Sequence, residues 1–255
     1  MNDWHFNPDY RGGEAERLFR NLDAVFALEG ELITKDPLSR VLRVVADGKR
    51  YYVKRYVGNG KNAVRRWFGL RALIGPPRVR TEWANLLAFR NWGIPTATLV
   101  GYGLQRRRGS YVRGALITEE IQDTVDLANM AHNSDSRLRD RRWMAHVSHQ
   151  IAGITRILHN AGFAHNDLKW RNLLVDSGDL PTVYLIDCPS GGYWWGFFLK
   201  YRIIKDLACL DKVGKYQLSR TQRLRFYLDY AGHEHLTLAD KQRIRHILKF
   251  FEGRE

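Results

Sequence analysis

Asp167 and Asn172 stand five positions apart in the string His165-Asn166-Asp167-Leu168-Lys169-Trp170-Arg171-Asn172, and a second carboxylate, Asp187, closes the apolar run Val183-Tyr184-Leu185-Ile186. This spacing restricts the fold more than any other feature of the chain. Leu168 is placed to anchor the loop in a core while Asp167 and Asn172 turn outward together, and Leu173-Leu174-Val175 then leaves as a short buried strand. Ser177-Gly178-Asp179 and Pro181 supply a turn before the second apolar run. Two strands paired as a hairpin across that turn bring their outer ends together, and with them the polar side chains. A carboxylate that receives an acceptor hydroxyl, with an amide and another carboxylate that hold Mg²⁺ against phosphates, is the set that phosphoryl transfer requires. Asp and Asn are also common in turns, where they bond their own backbone, so the string needs support from the rest of the chain.

That support lies upstream. Lys49 to Val57 alternates as a half-buried strand, with Tyr52, Lys54 and Tyr56 on one face. A lysine on an inward face needs an anionic partner. Glu82 is the candidate, at the start of a helix expected from about Thr81 to Asn91 and stopped by Gly93, with Pro95 beyond. A strand lysine paired with a helix glutamate holds the α/β-phosphates of ATP in the kinase arrangement, and the order Lys54, Glu82, Asp167, Asn172, Asp187 follows that arrangement. Ala115 to Ile121 reads as a strand leaving the first lobe, whose backbone at Glu119 and Glu120 is expected to face the adenine.

The helices fit the same plan. Trp143, Val147, Ile151, Ile154 and Leu158 recur every three or four residues over about Ser136 to Asn160, and Gly162 sits where a C-terminal cap belongs. Lys205-Asp206-Leu207-Ala208 is expected to open a further helix, with Asp206 either accepting backbone N–H bonds that brace the catalytic loop or standing as an exposed acid at a helix N-terminus. Two last helices are expected over about Thr221 to Tyr230 and Leu238 to Phe251, with Ser219 and Thr237 as N-caps.

Tyr51-Tyr52-Val53-Lys54-Arg55, Glu82-Trp83, Trp92-Gly93-Ile94-Pro95-Thr96, Thr118-Glu119-Glu120, the catalytic string, Leu185-Ile186-Asp187 and Lys205-Asp206-Leu207-Ala208 together resemble the lipopolysaccharide core kinases of Gram-negative bacteria, the WaaP/Kdo-kinase-like group. The match runs from about Gly30 to Leu210. The resemblance implies an α+β, two-lobed protein-kinase-like fold. A small, mainly β N-lobe with one key helix would span 1–121, and a larger, mainly α C-lobe 122–255. It also implies transfer of phosphate from ATP to a heptose or Kdo of the lipopolysaccharide inner core, at the cytoplasmic face of the inner membrane. Asp167 would take the hydroxyl proton, and Lys169 would neutralise the γ-phosphate. Lys54, Glu82, Glu119 and Glu120 would serve the nucleotide, and Asn172 and Asp187 the Mg²⁺.

Three departures stand out. No G-x-G-x-x-G run covers the phosphates; only Gly30 and Gly48 flank the first strand pair. Asn166 replaces the arginine with which many protein kinases read a phosphorylated activation loop, which argues against that form of control. Cys188-Pro189 replaces Phe-Gly after the metal-binding aspartate, and the fixed φ of proline opposes an in/out flip of Asp187.

Charge narrows the partners. A net charge of +14 with 12% aromatic residues calls for an acidic partner: nucleic acid, anionic lipid, or a phosphorylated and carboxylated glycolipid. The span 58–81 carries Lys61, Arg65, Arg66, Arg71, Arg78 and Arg80 without an acid, interleaved with Val64, Trp67, Phe68, Leu70, Leu73 and Ile74. Such a makeup suits a basic amphipathic helix on an anionic membrane, or an insertion packed on the N-lobe. Tyr193 to Leu199, trailed by Lys200, Arg202 and Lys205, suits either a membrane interface or the core beneath the catalytic loop. Nucleic acid is not expected, because the basic residues gather in an amphipathic segment and no recognition motif is present. Met1 to Arg20 has no signal core, no run approaches the ~20 apolar residues of a membrane span, and Cys188 and Cys209 form no disulfide framework. The expected site of action is the cytoplasm, peripheral on the inner membrane. Two alternatives stay open: a membrane-associated protein kinase, and a non-catalytic scaffold that binds anionic lipid, favoured by the missing glycine-rich loop.

Overall fold

The structure, a computed structural model, describes residues 2–58 and 77–253. It divides into two compact units, 1–88 with 97–121 and 89–96 with 122–255.

The first unit holds β1 (Asn2–Phe6), α1 (Glu14–Phe19), α2 (Leu22–Ala27), β2 (Glu31–Asp36), β3 (Ser39–Ala46), β4 (Lys49–Val57), most of α3 (Arg78–Asn91), β5 (Leu99–Arg107) and β6 (Ser110–Glu119). The strands form one antiparallel sheet in the order β1-β5-β6-β4-β3-β2. Two of its hairpins close on two-residue turns, Asp47-Gly48 and Arg108-Gly109, in which all four φ angles are positive, between 49° and 79°. That backbone matches the right-handed twist of the strands, and glycine at the second position adopts it without strain. Phe19, Leu22 and Val25 from α1 and α2 pack with Leu42, Val44, Tyr51, Val53 and Ile117 of the sheet. Each such large apolar side chain contributes about 1.5–3 kcal/mol by leaving water.

Helix α3 begins at Arg78, one turn earlier than the expected Thr81, because Pro77 stands at its threshold and its carbonyl accepts from Arg80 and Thr81. It ends as expected, with Gly93 at φ +71°. The basic amphipathic helix expected within 58–81 falls mostly on 59–76, outside the described residues.

The second unit adds β7 (Thr124–Asp126), α4 (Leu127–His132), α5 (Arg141–Asn160), β8 (Phe163–Ala164), β9 (Leu173–Asp176), β10 (Val183–Leu185), β11 (Gly192–Tyr193), α6 (Gly196–Gln217), α7 (Arg220–Ala231) and α8 (Leu238–Lys249). Helix α5 starts after Asp140, whose carboxylate accepts from the N–H of Arg142 and Trp143; the stretch Ser136–Arg139 is a separate 3₁₀ turn. Gly162 follows α5 at φ +71°, as expected. The hairpin of β9 and β10 pairs Leu173 with Leu185 and Val175 with Val183, and Asp176 ties its turn by accepting from Gly178 and Thr182. Ser219 and Thr237 each cap their helix with a full capping box.

Two expectations need correction here. Lys205-Asp206-Leu207-Ala208 does not open a helix; it lies in the middle of α6, which begins at Gly196. Nor does the aromatic run pack in a core. Tyr193, Trp195, Phe197 and Phe198 are 61–77% exposed, so the first turns of α6 show no buried stripe, which starts only at Asp206–Leu210.

Candidate active site

In the first unit Lys54 lies in mid-sheet, between Val41 of β3 and Leu116 of β6. Its ammonium donates to Glu82 Oε1 at 3.0 Å, and the two side chains are 18% and 4% exposed. The hydroxyl of Tyr56, two residues along β4 on the same face, donates to the other oxygen of Glu82. A carboxylate buried this deeply is sustained by both donors, since breaking such a pair from one side costs about 3–5 kcal/mol. Lys54 is therefore fixed in position rather than free to search solvent.

Glu119 and Glu120 end β6. Their backbone N–H groups already donate, to Thr98 O at 3.0 Å and Arg50 O at 2.9 Å. Their side chains are also engaged: Glu119 with Lys49 at 2.9 Å and with the Tyr10 hydroxyl, Glu120 with the Tyr52 hydroxyl at 3.0 Å and with Arg50.

In the second unit the string 165–172 is a loop fastened to α6. Asp206, fully buried, accepts the N–H of His165 at 2.7 Å and of Asn166 at 2.9 Å. This is the bracing role, not that of a surface acid. Asn166 sits at φ +66°, a conformation that asparagine tolerates better than most residues. Its amide nitrogen donates to Ser190 O, its amide oxygen accepts from Arg202, and its carbonyl accepts from Lys205. Asparagine here thus knots the loop to the segment after Asp187 and to α6. The His165 ring is buried and stacks on Phe89, with centroids 6.1 Å apart. Burial pushes its imidazole below its ordinary value against the pull of Asp206, Asp167 and Asp187.

Asp167 faces outward from this anchored loop. Lys169 meets one carboxylate oxygen at 2.5 Å and Arg171 the other at 3.0 Å. Burial raises its carboxyl, but the hydrogen bonds from Lys169 and Arg171 outweigh that, and the net effect holds it below the usual carboxylate range. Asn172, 3% exposed, donates its amide N–H to Asp167 O at 2.8 Å, which leaves its amide oxygen as the part able to meet a ligand. Ile186 N–H donates to Asn172 O at 3.0 Å, so the residue that follows, Asp187, emerges beside Asn172. Asp187 itself holds φ +59°, unusual for a residue with a Cβ and typical of constrained functional positions. Asp167, Lys169, Asn172 and the approach to Asp187 are thus brought together. An amide oxygen and a carboxylate are hard donors that fit Mg²⁺, which commonly takes one or two protein oxygens and completes its octahedron with phosphates and water.

Arg171 and Arg202 belong to the site as well, although the sequence assigns Arg171 no role and places Arg202 only among the cations that trail the aromatic run. Arg171 carried a readable signal, a cation four residues after Asp167; Arg202, which meets Asn166 from 36 positions away, carried none.

A family model described as the lipopolysaccharide kinase (Kdo/WaaP) family matches residues 23–230. Among curated proteins, the chain is 28% identical over 145 residues to lipopolysaccharide core heptose(I) kinase WaaP of Pseudomonas aeruginosa, covering 57% of this chain and 54% of that protein. It is 26% identical over 155 residues to the protein of the same name from Escherichia coli K12, covering 59% and 57%. A 3-deoxy-D-manno-octulosonic acid kinase of Mannheimia succiniciproducens is 28% identical over 101 residues, 39% of either chain. The chain spans about half the length of the curated relatives it matches. A solved structure described as WaaP in complex with acyl carrier protein superposes with a TM-score of 0.74 at 23% identity, over 99% of this chain and 97% of that one. The fold is accordingly the α+β protein-kinase-like one, with a β-rich N-terminal sheet and a helical C-terminal part.

Proposed function

The chain belongs to the lipopolysaccharide kinase (Kdo/WaaP) family, and from that premise we propose that it is an ATP-dependent kinase that phosphorylates a sugar, heptose or Kdo, of the lipopolysaccharide inner core. The observation that carries this reading is the state of Asp167: an ionised carboxylate on a loop locked to Asp206, flanked by Lys169 and by Asn172. Asp167 orients the acceptor hydroxyl and takes its proton as the hydroxyl oxygen bonds to the γ-phosphorus and the bond to the departing ADP breaks. Lys169 lies where negative charge gathers. Lys54, held by Glu82, binds the α/β-phosphates. The chain around Glu119 and Glu120 meets the adenine through carbonyl oxygens, since both N–H groups are spent in the sheet. Asn172 and Asp187 would hold Mg²⁺, which when bound neutralises phosphate charge. Most of the acceleration is positional and electrostatic.

The exposed rings of Tyr193, Trp195, Phe197 and Phe198 and the net charge of +14 support a peripheral position on the cytoplasmic face of the inner membrane. No helix among the described residues is long and apolar enough to cross a membrane.

Mass spectrometry of lipopolysaccharide core from cells with and without the protein tests the reading. The expected difference is about 80 Da on one inner-core sugar, the unit moved by phosphoryl transfer, with the protein itself recovered in the inner-membrane fraction. An identical core in both cells, with ATP-derived label found only in protein, would replace the sugar by a protein acceptor.

A second partner is favoured by a specific observation. Helices α5, α6, α7 and α8 line an open apolar cavity of about 510 Å³, with Met144, Ile151, Leu207, Leu210, Tyr227 and Ile244 in its wall. A similar solved structure contains acyl carrier protein, whose cargo is an acyl chain of the kind that such a cavity suits. Native mass spectrometry with acyl-loaded acyl carrier protein is expected to show a one-to-one complex, and the absence of any complex would end this reading.

A further inference from the structure

Beside Asp167 the second unit holds an open cavity of about 400 Å³, with Trp170, Val213 and Phe251 in its wall and the charged groups of Asp167, Lys169, Arg171, Lys205 and Lys212 around it. We propose that this cavity is a subsite for a second anionic group, a phosphate or carboxylate that the acceptor carries near the hydroxyl that reacts. The inference rests on the kinase reading of Asp167 and deepens it by naming a chemical property of the acceptor.

The charges in the cavity do not balance. Four cations, Lys169, Arg171, Lys205 and Lys212, face one carboxylate, that of Asp167. Lys205 is spent on a neutral acceptor, the carbonyl of Asn166, at 2.9 Å. Lys212 is exposed and lies 5.3 Å from the centroid of the Phe251 ring. The Cys209 thiol, between these two lysines on the wall, is pushed up to about 11 by burial and adds no charge near neutral pH. Positions 205, 209 and 212 follow the i, i+4, i+7 spacing that keeps side chains on one face of a helix, so α6 presents the two lysines to the cavity as a fixed pair. A concave site with this excess of positive charge is matched by an anion.

The pairing at Asp167 explains why that anion would matter for chemistry. Both carboxylate oxygens already accept from a cation, Oδ1 from Lys169 and Oδ2 from Arg171. An acceptor anion in the cavity competes for Arg171, whose side chain is 60% exposed and has room to turn. Once Arg171 transfers to it, Oδ2 is released to the hydroxyl. An acceptor without the anion leaves Arg171 on the base. Charge on the acceptor thus acts as a requirement for reaction, not merely as an aid to binding.

Inorganic phosphate is the direct probe. Titrated into the nucleotide-free protein and followed by thermal shift, it is expected to bind the wild type and to bind Lys212→Ala and Arg171→Ala about five- to tenfold more weakly, the loss of one charge-assisted contact. Both side chains are exposed, so both variants should fold. In steady-state assays Lys212→Ala is expected to raise KM for the acceptor while KM for ATP stays put, and Arg171→Ala, which leaves Oδ2 of Asp167 unblocked, is expected to abolish the kcat advantage of an acceptor that carries the anion over one that lacks it. Unchanged phosphate affinity in both variants overturns the subsite. Vesicles of phosphatidylglycerol form a second arm: if Lys212→Ala weakens only vesicle binding, the cavity reads a lipid headgroup and the assignment to the acceptor falls. Because the titration involves no phosphoryl transfer, a positive result alongside a protein that never labels glycolipid would sink the kinase reading and leave the anion subsite standing.

Discussion

Asp167→Ala is expected to lower phosphoryl transfer to glycolipid by about 10³-fold, within the range that a positioned general base contributes, while the thermal midpoint moves by no more than about 2 °C. The two halves of that expectation come from one geometry. Among the described residues the carboxylate pairs with Lys169 and Arg171, which are 44% and 60% exposed, and pairs of that kind are worth little to stability. What holds the loop is elsewhere: the Asp167 carbonyl keeps its bond from Asn172 whatever the side chain. Labelled ATP with purified core acceptor reads the first half and a melting curve the second. Transfer at more than a tenth of the wild-type rate in a folded variant would remove Asp167 from the mechanism.

Asp206→Ala is expected to act in the opposite manner, through stability first. Its carboxylate is wholly buried and satisfies the N–H groups of His165 and Asn166, with the His159 ring 3.6 Å away. Truncation leaves two buried donors without acceptors, at about 1–3 kcal/mol each, and so lowers the midpoint of the second unit by about 10 °C. The catalytic loop loses its fastening at the same time, and transfer falls with it. Asp206→Asn retains one acceptor oxygen and should recover part of the midpoint. A midpoint unchanged in Asp206→Ala would mean that the loop is held by Lys205 and Arg202 on Asn166 instead.

Much of this site was readable in advance because its constraints are local or chemically singular. Lys54 on an inward strand face demands a carboxylate, and Glu82 is that carboxylate. Asp167 and Asn172 share a loop because Leu168 anchors it, and the hairpin after them is marked by its turn. The caps at Ser219 and Thr237 are written in a few residues each. What escaped depends on distance along the chain or on broken periodicity. Strand β1 pairs with β5 across about a hundred residues, and nothing in Asn2–Phe6 announces its partner. The start of α6 was hidden because its aromatics point to solvent and blur the apolar period until Asp206. Asp47-Gly48 is by contrast a strong local sign of a hairpin, and the glycine that flanks the first strand pair is there to make its turn.

Helix α6 joins two features that would otherwise have nothing to do with each other. Phe197 and Phe198 stand bare at one end, and Asp206, eight residues beyond Phe198, grips the catalytic loop. At 1.5 Å per residue that is a rod of about 12 Å. Any surface that seats those two rings therefore sets the standoff of the Asp167 loop by a length written in the helix itself. Inserting or deleting a single residue between 198 and 206 would change that length and also swing the rings about 100° around the axis, so the protein carries a ruler whose graduations are also a compass.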